Sequence, residues 1–434
     1  MVLSVLASLV VWAALAVTGL RLFQGAGGTV AVNKGTNWVL GTKYIGGEMQ
    51  KAGKKELAIV FTNAFVFRLF FFGLSILILY LFTEQELKSF DHILRILERW
   101  DATNYVRIAT GGDAGHVENG DYTMLPFFPL YPWLMRLFAL VFRSPQLAGF
   151  VISFLSYAGG CCFLYQLGVM EYGKKTAGKA IIFLSLFPFG FYFGLIMTEG
   201  LFFLLTAMGL YFIRRHQWLL VGICGAFAAM TRISGILILV PAVAEFIEHY
   251  RMVDFFREKR WRKERILSYY KILLIGIAFL GIFVYLYCNY RTTGNWFQFL
   301  EYQQKYWGSH GCYFGEGLSV ISRHAFGPNI PIMERLANWI PLVAIVLLAL
   351  SLMLYGMRRG RTMYMFYFIT YFIVNFSVTW PYSGARYLSC AIPMFLFLAE
   401  WSEEHPRLGS WLTIIFAVLM GVYFAGYTLG LEIM

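Results

Sequence analysis

Uninterrupted apolar runs recur along the whole chain, separated by short polar segments. "FFFGLSILILYLF" (Phe70–Phe82) and "YKILLIGIAFLGIFVYLYC" (Tyr270–Cys288) show the type. Runs of roughly 18 or more apolar residues need a hydrocarbon solvent, because about 20 helical residues cross its ~30 Å. A large soluble helical core would need polar faces on its helices, and few of these segments have one. The pattern predicts an all-α polytopic membrane protein with about twelve transmembrane helices. They fall at 2–22, 57–82, 147–170, 179–196, 199–214, 217–232, 234–249, 268–290, 338–356, 363–380, 385–400 and 410–432.

Two features break this regularity. Phe127–Phe142 is apolar, but if it spanned, the basic "EYGKKTAGK" would change sides. It is predicted to be re-entrant or interfacial, its start set by Pro126, Pro129 and Pro132. The segments on either side of Arg232 are short for full spans and suggest half-helices facing a cavity. Between the spans, "LKSFDHILRILERWDATNYVRIAT" spaces Phe90, Ile93, Leu94, Ile96 and Leu97 as in an amphipathic helix lying on the membrane surface.

Composition agrees: 59% of residues are hydrophobic and only 14% charged, against about a quarter charged in a soluble domain. The net charge of +12 would suit nucleic acid, but its distribution excludes that reading. Basic residues cluster in short loops, "KKTAGK" (Lys174–Lys179), "RRH" (Arg214–His216), "REKRWRKER" (Arg257–Arg265) and "RRGR" (Arg358–Arg361). That is the positive-inside pattern of cytoplasmic loops, with attraction to anionic lipid as a second consequence. The loops 83–146 and 291–337 then fall on the extracytosolic side, with Glu199, Arg232 and Arg386. The six cysteines lie mostly in apolar runs without CxxC or Cys/His spacing, so neither a disulfide framework nor a metal site is expected. The first segment lacks a basic leader and reads as a retained helix rather than a signal peptide. Residues 1–56 form an additional N-terminal helix and Gly/Lys linker, and 57–434 the main domain. Within it, 83–124 is the first extracytosolic loop and 291–337 the second large one.

Ionisable residues at membrane depth are costly and point to function. "RWDATNY" (Arg99–Tyr105) places Asp101 after the interface-preferring Trp100. The carboxylate is either a helix cap or Arg99 partner, or a general base on an acceptor hydroxyl. "FFPLYP" (Phe127–Pro132) is either a rigid helix entry or an aromatic wall over a sugar or isoprenoid, with the Tyr131 hydroxyl as handle. Glu199, in "FPFGFYFGLIMTEGLFFLL", is a loop charge or a pocket acid. Arg232, in "AAMTRISG", either partners a carboxylate or forks onto phosphate oxygens. "WPYSGARYLSCAIP" repeats that theme with Arg386 and Tyr387. "TTGNWFQFLEYQQKYWGSHGCYFGEG" carries His310, Glu301 and Glu316 among aromatics suited to stacking on sugars or to interfacial anchoring.

Taken together and in order, "RWDATNYVRIA", "FFPLYPWLMRLF", "TEGLFFLL", "TRISGIL", "TGNWFQFLEYQQKYWG" and "ARYLSCAIP" resemble the PIG-V-like (GPI mannosyltransferase 2-like) family of GT-C glycosyltransferases, in its prokaryotic branch. The resemblance covers roughly Leu57 to Ala399. It implies a GT-C-type fold, a polyprenyl-phosphate-linked sugar donor, transfer of a hexose, mannose by analogy, with inversion to an acceptor hydroxyl, and a bacterial plasma-membrane setting with an extracytosolic site. Nucleotide-sugar binding is not implied, and no cofactor or metal is expected, consistent with the absence of a DxD motif. Position by position, Asp101 takes the role of general base, Arg232 or Arg386 holds the departing phosphate, and Trp100, Tyr105, Phe128, Tyr131, Glu199 and Tyr387 line the sugar and lipid pocket. The chain departs from the family at "GGDAGHVENGDY", where the second loop acid is Asp113, Glu118 or Asp121. A transporter or flippase of lipid-linked sugar is the rival reading. The acceptor, whether glycan, lipid or protein, is left open.

Overall fold

A computed structural model describes residues 2–30, 51–83, 87–112, 116–118, 120–258 and 269–433. Among them the protein is all helix, apart from two isolated bridges. Six helices are long and apolar enough to cross a membrane: Val2–Gly25, Lys54–Phe82, Pro145–Tyr172, Ile272–Thr293, Ile332–Arg359 and Pro406–Leu429. Helices satisfy every backbone group internally, which hydrocarbon demands. Leu9, Phe70, Leu140 and Val422 are more than half exposed, as expected of side chains that face lipid.

Of the other expected spans, 199–214 forms as Glu199–Arg214, while the rest are shorter than the hydropathy suggested, and local chemistry explains three of the breaks. The 179–196 run is helical only over Lys174–Leu186. Phe187 precedes Pro188 and adopts an extended ψ of 137°, because the proline ring disfavours a helical predecessor. The chain then runs as a 3-10 turn, Gly190–Gly194, before Glu199–Arg214 begins. The 217–232 run ends at Ala229, and Arg232 is extended (φ −156°, ψ 148°) ahead of a 3-10 segment, Ile233–Ile238. A β-carbon on Gly235 would lie 2.1 Å from the Ala228 carbonyl carbon, so this close fold-back requires glycine. The 385–400 run divides into Gly384–Leu388 and Ile392–Glu404, with Pro393 in the first turn of the second. All three breaks put irregular backbone inside the helix bundle rather than against lipid, which is where a membrane protein tolerates it.

The expected surface helix is two helices, Phe90–Ile96 and Asp101–Gly111. Trp100 joins them at φ 57°, a conformation that costs a non-glycine residue of order 1–3 kcal/mol. Leu130–Phe142 has 13 residues, about 20 Å of helix. That is too short to span, in line with the re-entrant or interfacial expectation. It packs on Pro145–Tyr172 and on Asp101–Gly111, while Leu137, Leu140 and Val141 point outward.

The two ends of the bundle carry different chemistry. At the end bearing the basic loops, Arg214 and Arg361 bridge the buried acids Glu171 and Glu245. There the N-terminal helix is tied in by Arg21, which donates to the carbonyls of Met357 and Gly360 at 2.7 Å each. None of the six cysteines is in a disulfide.

Candidate functional site at the end opposite the basic loops

Each break in the helices delivers one charged side chain to the same place. Asp101 opens the Asp101–Gly111 helix, Glu199 opens Glu199–Arg214, Arg232 sits in the bend after Ala229, and Arg386 lies in the short Gly384–Leu388 turn. They form an alternating chain. Arg386 Nη2 donates to Asp101 Oδ2 at 2.8 Å. Its Nε lies 2.8 Å from Glu199 Oε1 but makes no hydrogen bond, so that contact is Coulombic without hydrogen-bond alignment. Arg232 Nη2 donates to the same Glu199 oxygen at 2.5 Å, and its Nε donates to Thr198 Oγ1 at 2.8 Å.

Burial grades this chain. The side chain of Glu199 has no exposure and that of Arg386 2%, whereas Asp101 keeps 26%. Two arginines on one buried carboxylate offset the desolvation cost that a lone ion would carry. Asp101 is the acid that solvent or a substrate can reach. Besides Arg386 Nε, two buried polar atoms of the cluster have no hydrogen-bond partner, Arg386 Nη1 and Glu199 Oε2. A buried guanidinium with an unused donor beside a second arginine suits an anionic oxygen.

Aromatic rings fix the two arginines. The Tyr387 ring stacks between them, 4.6 Å from the Arg232 guanidinium carbon and 5.1 Å from that of Arg386. The Tyr192 ring also lies 5.1 Å from Arg386, and its hydroxyl donates to the Ile433 carbonyl. Beside Asp101, Tyr105 packs edge-on to Phe127 and Tyr131, and Phe127 to Trp307.

The structure therefore brings Asp101, Tyr105, Glu199, Arg232, Arg386 and Tyr387 together. Trp100 caps the helix that starts at Asp101, half-buried with its indole N–H unpartnered. Phe128 points elsewhere, stacked on Tyr285 at 3.8 Å. Tyr131 packs on Tyr105, but its hydroxyl is already engaged with the Gly149 carbonyl and Ser153 Oγ. Of the three loop acids, Asp113 lies outside the described residues. Glu118 is exposed and bridges to Asp121 through its backbone. The Asp121 carboxylate accepts from Lys305 at 2.5 Å and Tyr306 at 2.7 Å, contacts that hold its pKa below the usual value. It ties the two loops together. Thr198, Tyr192 and the segment around Ile433 were not singled out from the sequence. Nothing in a lone Thr or in "FGFYFG" signals a contact that forms only when the helix breaks. Among the described residues no group of three or more His, Cys, Asp or Glu side chains could hold a metal ion.

These features define a multi-pass integral membrane protein with a buried acid–arginine cluster beneath an aromatic wall. Residues 126–286 match the family model of dolichyl-phosphate-mannose-protein mannosyltransferases. The matched segment, well under half of the chain, contains Glu199 and Arg232 but stops short of Asp101 and Arg386. Among solved structures, ArnT from Cupriavidus metallidurans in the apo state aligns with 14% identity and a TM-score of 0.44, over 74% of this chain and 56% of that one. The chain thus spans little more than half the length of ArnT. No curated protein gives a significant match.

Proposed function

We propose that the protein is an integral-membrane glycosyltransferase of the GT-C type. It moves a hexose, by family analogy mannose, from a polyprenyl-phosphate-linked donor to an acceptor hydroxyl, with inversion and without a metal. The observation that carries this reading is the alternating chain of Asp101, Arg386, Glu199 and Arg232. It joins one accessible carboxylate to one buried and one largely buried arginine, the part list of a single displacement at a sugar phosphate. The match of residues 126–286 to a lipid-phosphate mannosyltransferase model supports it. So does the ordered resemblance to the PIG-V-like family. The positive-inside rule puts the site on the extracytosolic face, in a bacterial plasma membrane on that analogy.

In this reaction the acceptor O–H gives its proton to Asp101, whose Oδ1 makes no hydrogen bond among the described residues. The oxygen forms a bond to the anomeric carbon from the side opposite the lipid phosphate. The bond from that carbon to the phosphate oxygen breaks, and its electron pair leaves with the polyprenyl phosphate. An inverting transfer needs one base and a stabilised leaving group, not the paired carboxylates of a retaining hydrolase. Arg386 Nη1 and the Arg232 guanidinium take the growing phosphate charge in a site of low dielectric. Glu199 is too deeply buried to be the base and instead offsets the mutual repulsion of the two arginines.

The test is incubation of the purified protein in detergent with radiolabelled polyprenyl-phosphate mannose and membrane glycolipid extract. A labelled glycoside together with free polyprenyl phosphate supports a transferase. A flippase of lipid-linked sugar forms no product there and shows activity only in sealed vesicles.

A further inference from the structure

A groove of about 470 Å³ opens at the same end of the bundle, outside the acid–arginine cluster. It lies between the start of the Val2–Gly25 helix and the Phe314–Phe326 helix, and Ser4, Tyr313, Glu316, Ser319, Arg323 and Thr379 line it. Glu316 and Arg323 are seven residues apart, so they share a helix face about 10 Å apart along the axis. Both are exposed, and neither headgroup is in an ion pair or side-chain hydrogen bond among the described contacts. An acid and a guanidinium facing one groove, each with unused capacity, present acceptor and donor forks to a polar ligand.

The wall is built to hold its shape. Tyr313 is 45% exposed, yet its hydroxyl donates to Ser8 Oγ at 3.0 Å and accepts from the Trp12 indole at 3.3 Å. The ring therefore stands at a fixed angle over the groove, as a surface for stacking. The far side is pinned by a short ladder. Cys312 N–H donates to the Ser377 carbonyl and Thr379 N–H to the His310 carbonyl, each at 3.0 Å. Thr379 stands seven residues before Arg386, so the groove and the phosphate-holding arginine share one segment. The N-terminal helix, which lies outside the family resemblance, supplies Ser4, Ser8 and Trp12.

We propose that this groove is a carbohydrate subsite, which holds the sugar chain of the acceptor while its terminal hydroxyl reaches Asp101. This rests on the glycosyltransferase reading. Hydroxyl groups of a neutral saccharide bridge Glu316 and Arg323, the faces of its rings stack on Tyr313, and Ser4, Ser319 and Thr379 complete the polar lining. The span between the two charges suits a disaccharide or longer chain. Cys312, Val320 and the Tyr313 ring supply the apolar part of the lining, so a peptide acceptor is the competing occupant that the experiment must separate from a saccharide.

The experiment uses the full chain in detergent, titrated with neutral mannose, glucose and N-acetylglucosamine disaccharides and with a mixed peptide pool, read by saturation-transfer NMR. At least one saccharide should bind, with affinity about tenfold weaker in Glu316→Gln and in Arg323→Gln. Saccharide binding without any transfer from the labelled donor keeps the groove and removes the transferase reading. Transfer that proceeds with the same acceptor KM in wild type, Glu316→Gln and Arg323→Gln removes the groove and keeps the transferase. Binding of peptides but no saccharide overturns the proposal.

Discussion

Asp101→Asn separates the accessible acid from the buried one. The change is isosteric and leaves the fold intact for a structural reason. Arg386 keeps its 2.8 Å approach to Glu199 Oε1, and the amide oxygen can still accept from Nη2, so no buried charge is stranded. The Asp101 side chain is 26% exposed, which limits the stability cost to about 1 kcal/mol, as for other partly solvated pairs. Catalysis should suffer far more. A positioned general base contributes about 10²–10⁴ in rate, equal to about 2.7–5.4 kcal/mol at 1.36 kcal/mol per factor of ten. The assay is initial rate of labelled sugar transfer by purified protein in detergent, with melting temperature measured on the same preparation. The expected result is a loss of at least about a hundredfold in rate, with a melting temperature within a few degrees of wild type. Transfer within a few-fold of wild type would refute the assignment of Asp101 as base. A large fall in melting temperature would show that the Asp101–Arg386 contact is a structural tie instead.

Glu199→Gln should behave in the opposite way. Removing the carboxylate leaves two arginines buried side by side, at a cost of about 3–5 kcal/mol, visible as poor yield and a lower melting temperature; a stable, well-expressed Gln variant would contradict this. Arg68 stands on the Lys54–Phe82 helix with 1% exposure and no hydrogen bond from any of its three nitrogens, its guanidinium 3.9 Å from the Tyr157 ring. Arg68→Met should therefore be neutral or stabilising by about 1–4 kcal/mol, and a clear drop in melting temperature in detergent would show otherwise. The carboxyl of Asp121 has its pKa lowered chiefly by Lys305 and then by Tyr306. Its contribution is present above the unfolded value of about 3.9 and is lost as pH falls through the lowered one. Limited proteolysis of the 298–307 region should stay constant from pH 7 to about 5, and Asp121→Asn should raise it at every pH in that range. Equal cleavage of the two proteins would remove the loop tie.

Hydropathy alone made the membrane class and the long helices legible, because a hydrocarbon solvent leaves few ways to bury twenty apolar residues. It misjudged the shorter spans for a definite reason. Mean hydropathy does not respond to Pro188, Pro393 or the fold-back at Gly235, yet these mark where the apolar runs break. The same breaks explain how the site could be read in part. Asp101, Glu199, Arg232 and Arg386 stand out in apolar surroundings, so each was singled out. That one oxygen of Glu199 serves two arginines is a tertiary fact with no sequence signature. Tyr131 shows the reverse. Its hydroxyl looked available, but packing against Pro145–Tyr172 put it within reach of the Gly149 carbonyl and Ser153. The groove beside Tyr313 has no sequence signature, because its walls come from residues some three hundred positions apart.

The contact between Arg386 and Asp101 also bears on the order in which substrates arrive. A guanidinium that answers two anions divides its hold between them. In the proposed reaction a lipid phosphate reaching Nη1 loosens the grip of Nη2 on Asp101, and the carboxylate is then free to turn toward the acceptor. An acceptor that arrives first meets an acid whose charge is already engaged. On the proposed reading the empty site is thereby latched, and the donor itself would be the key that frees Asp101, so that proton removal waits until there is a sugar to receive the nucleophile.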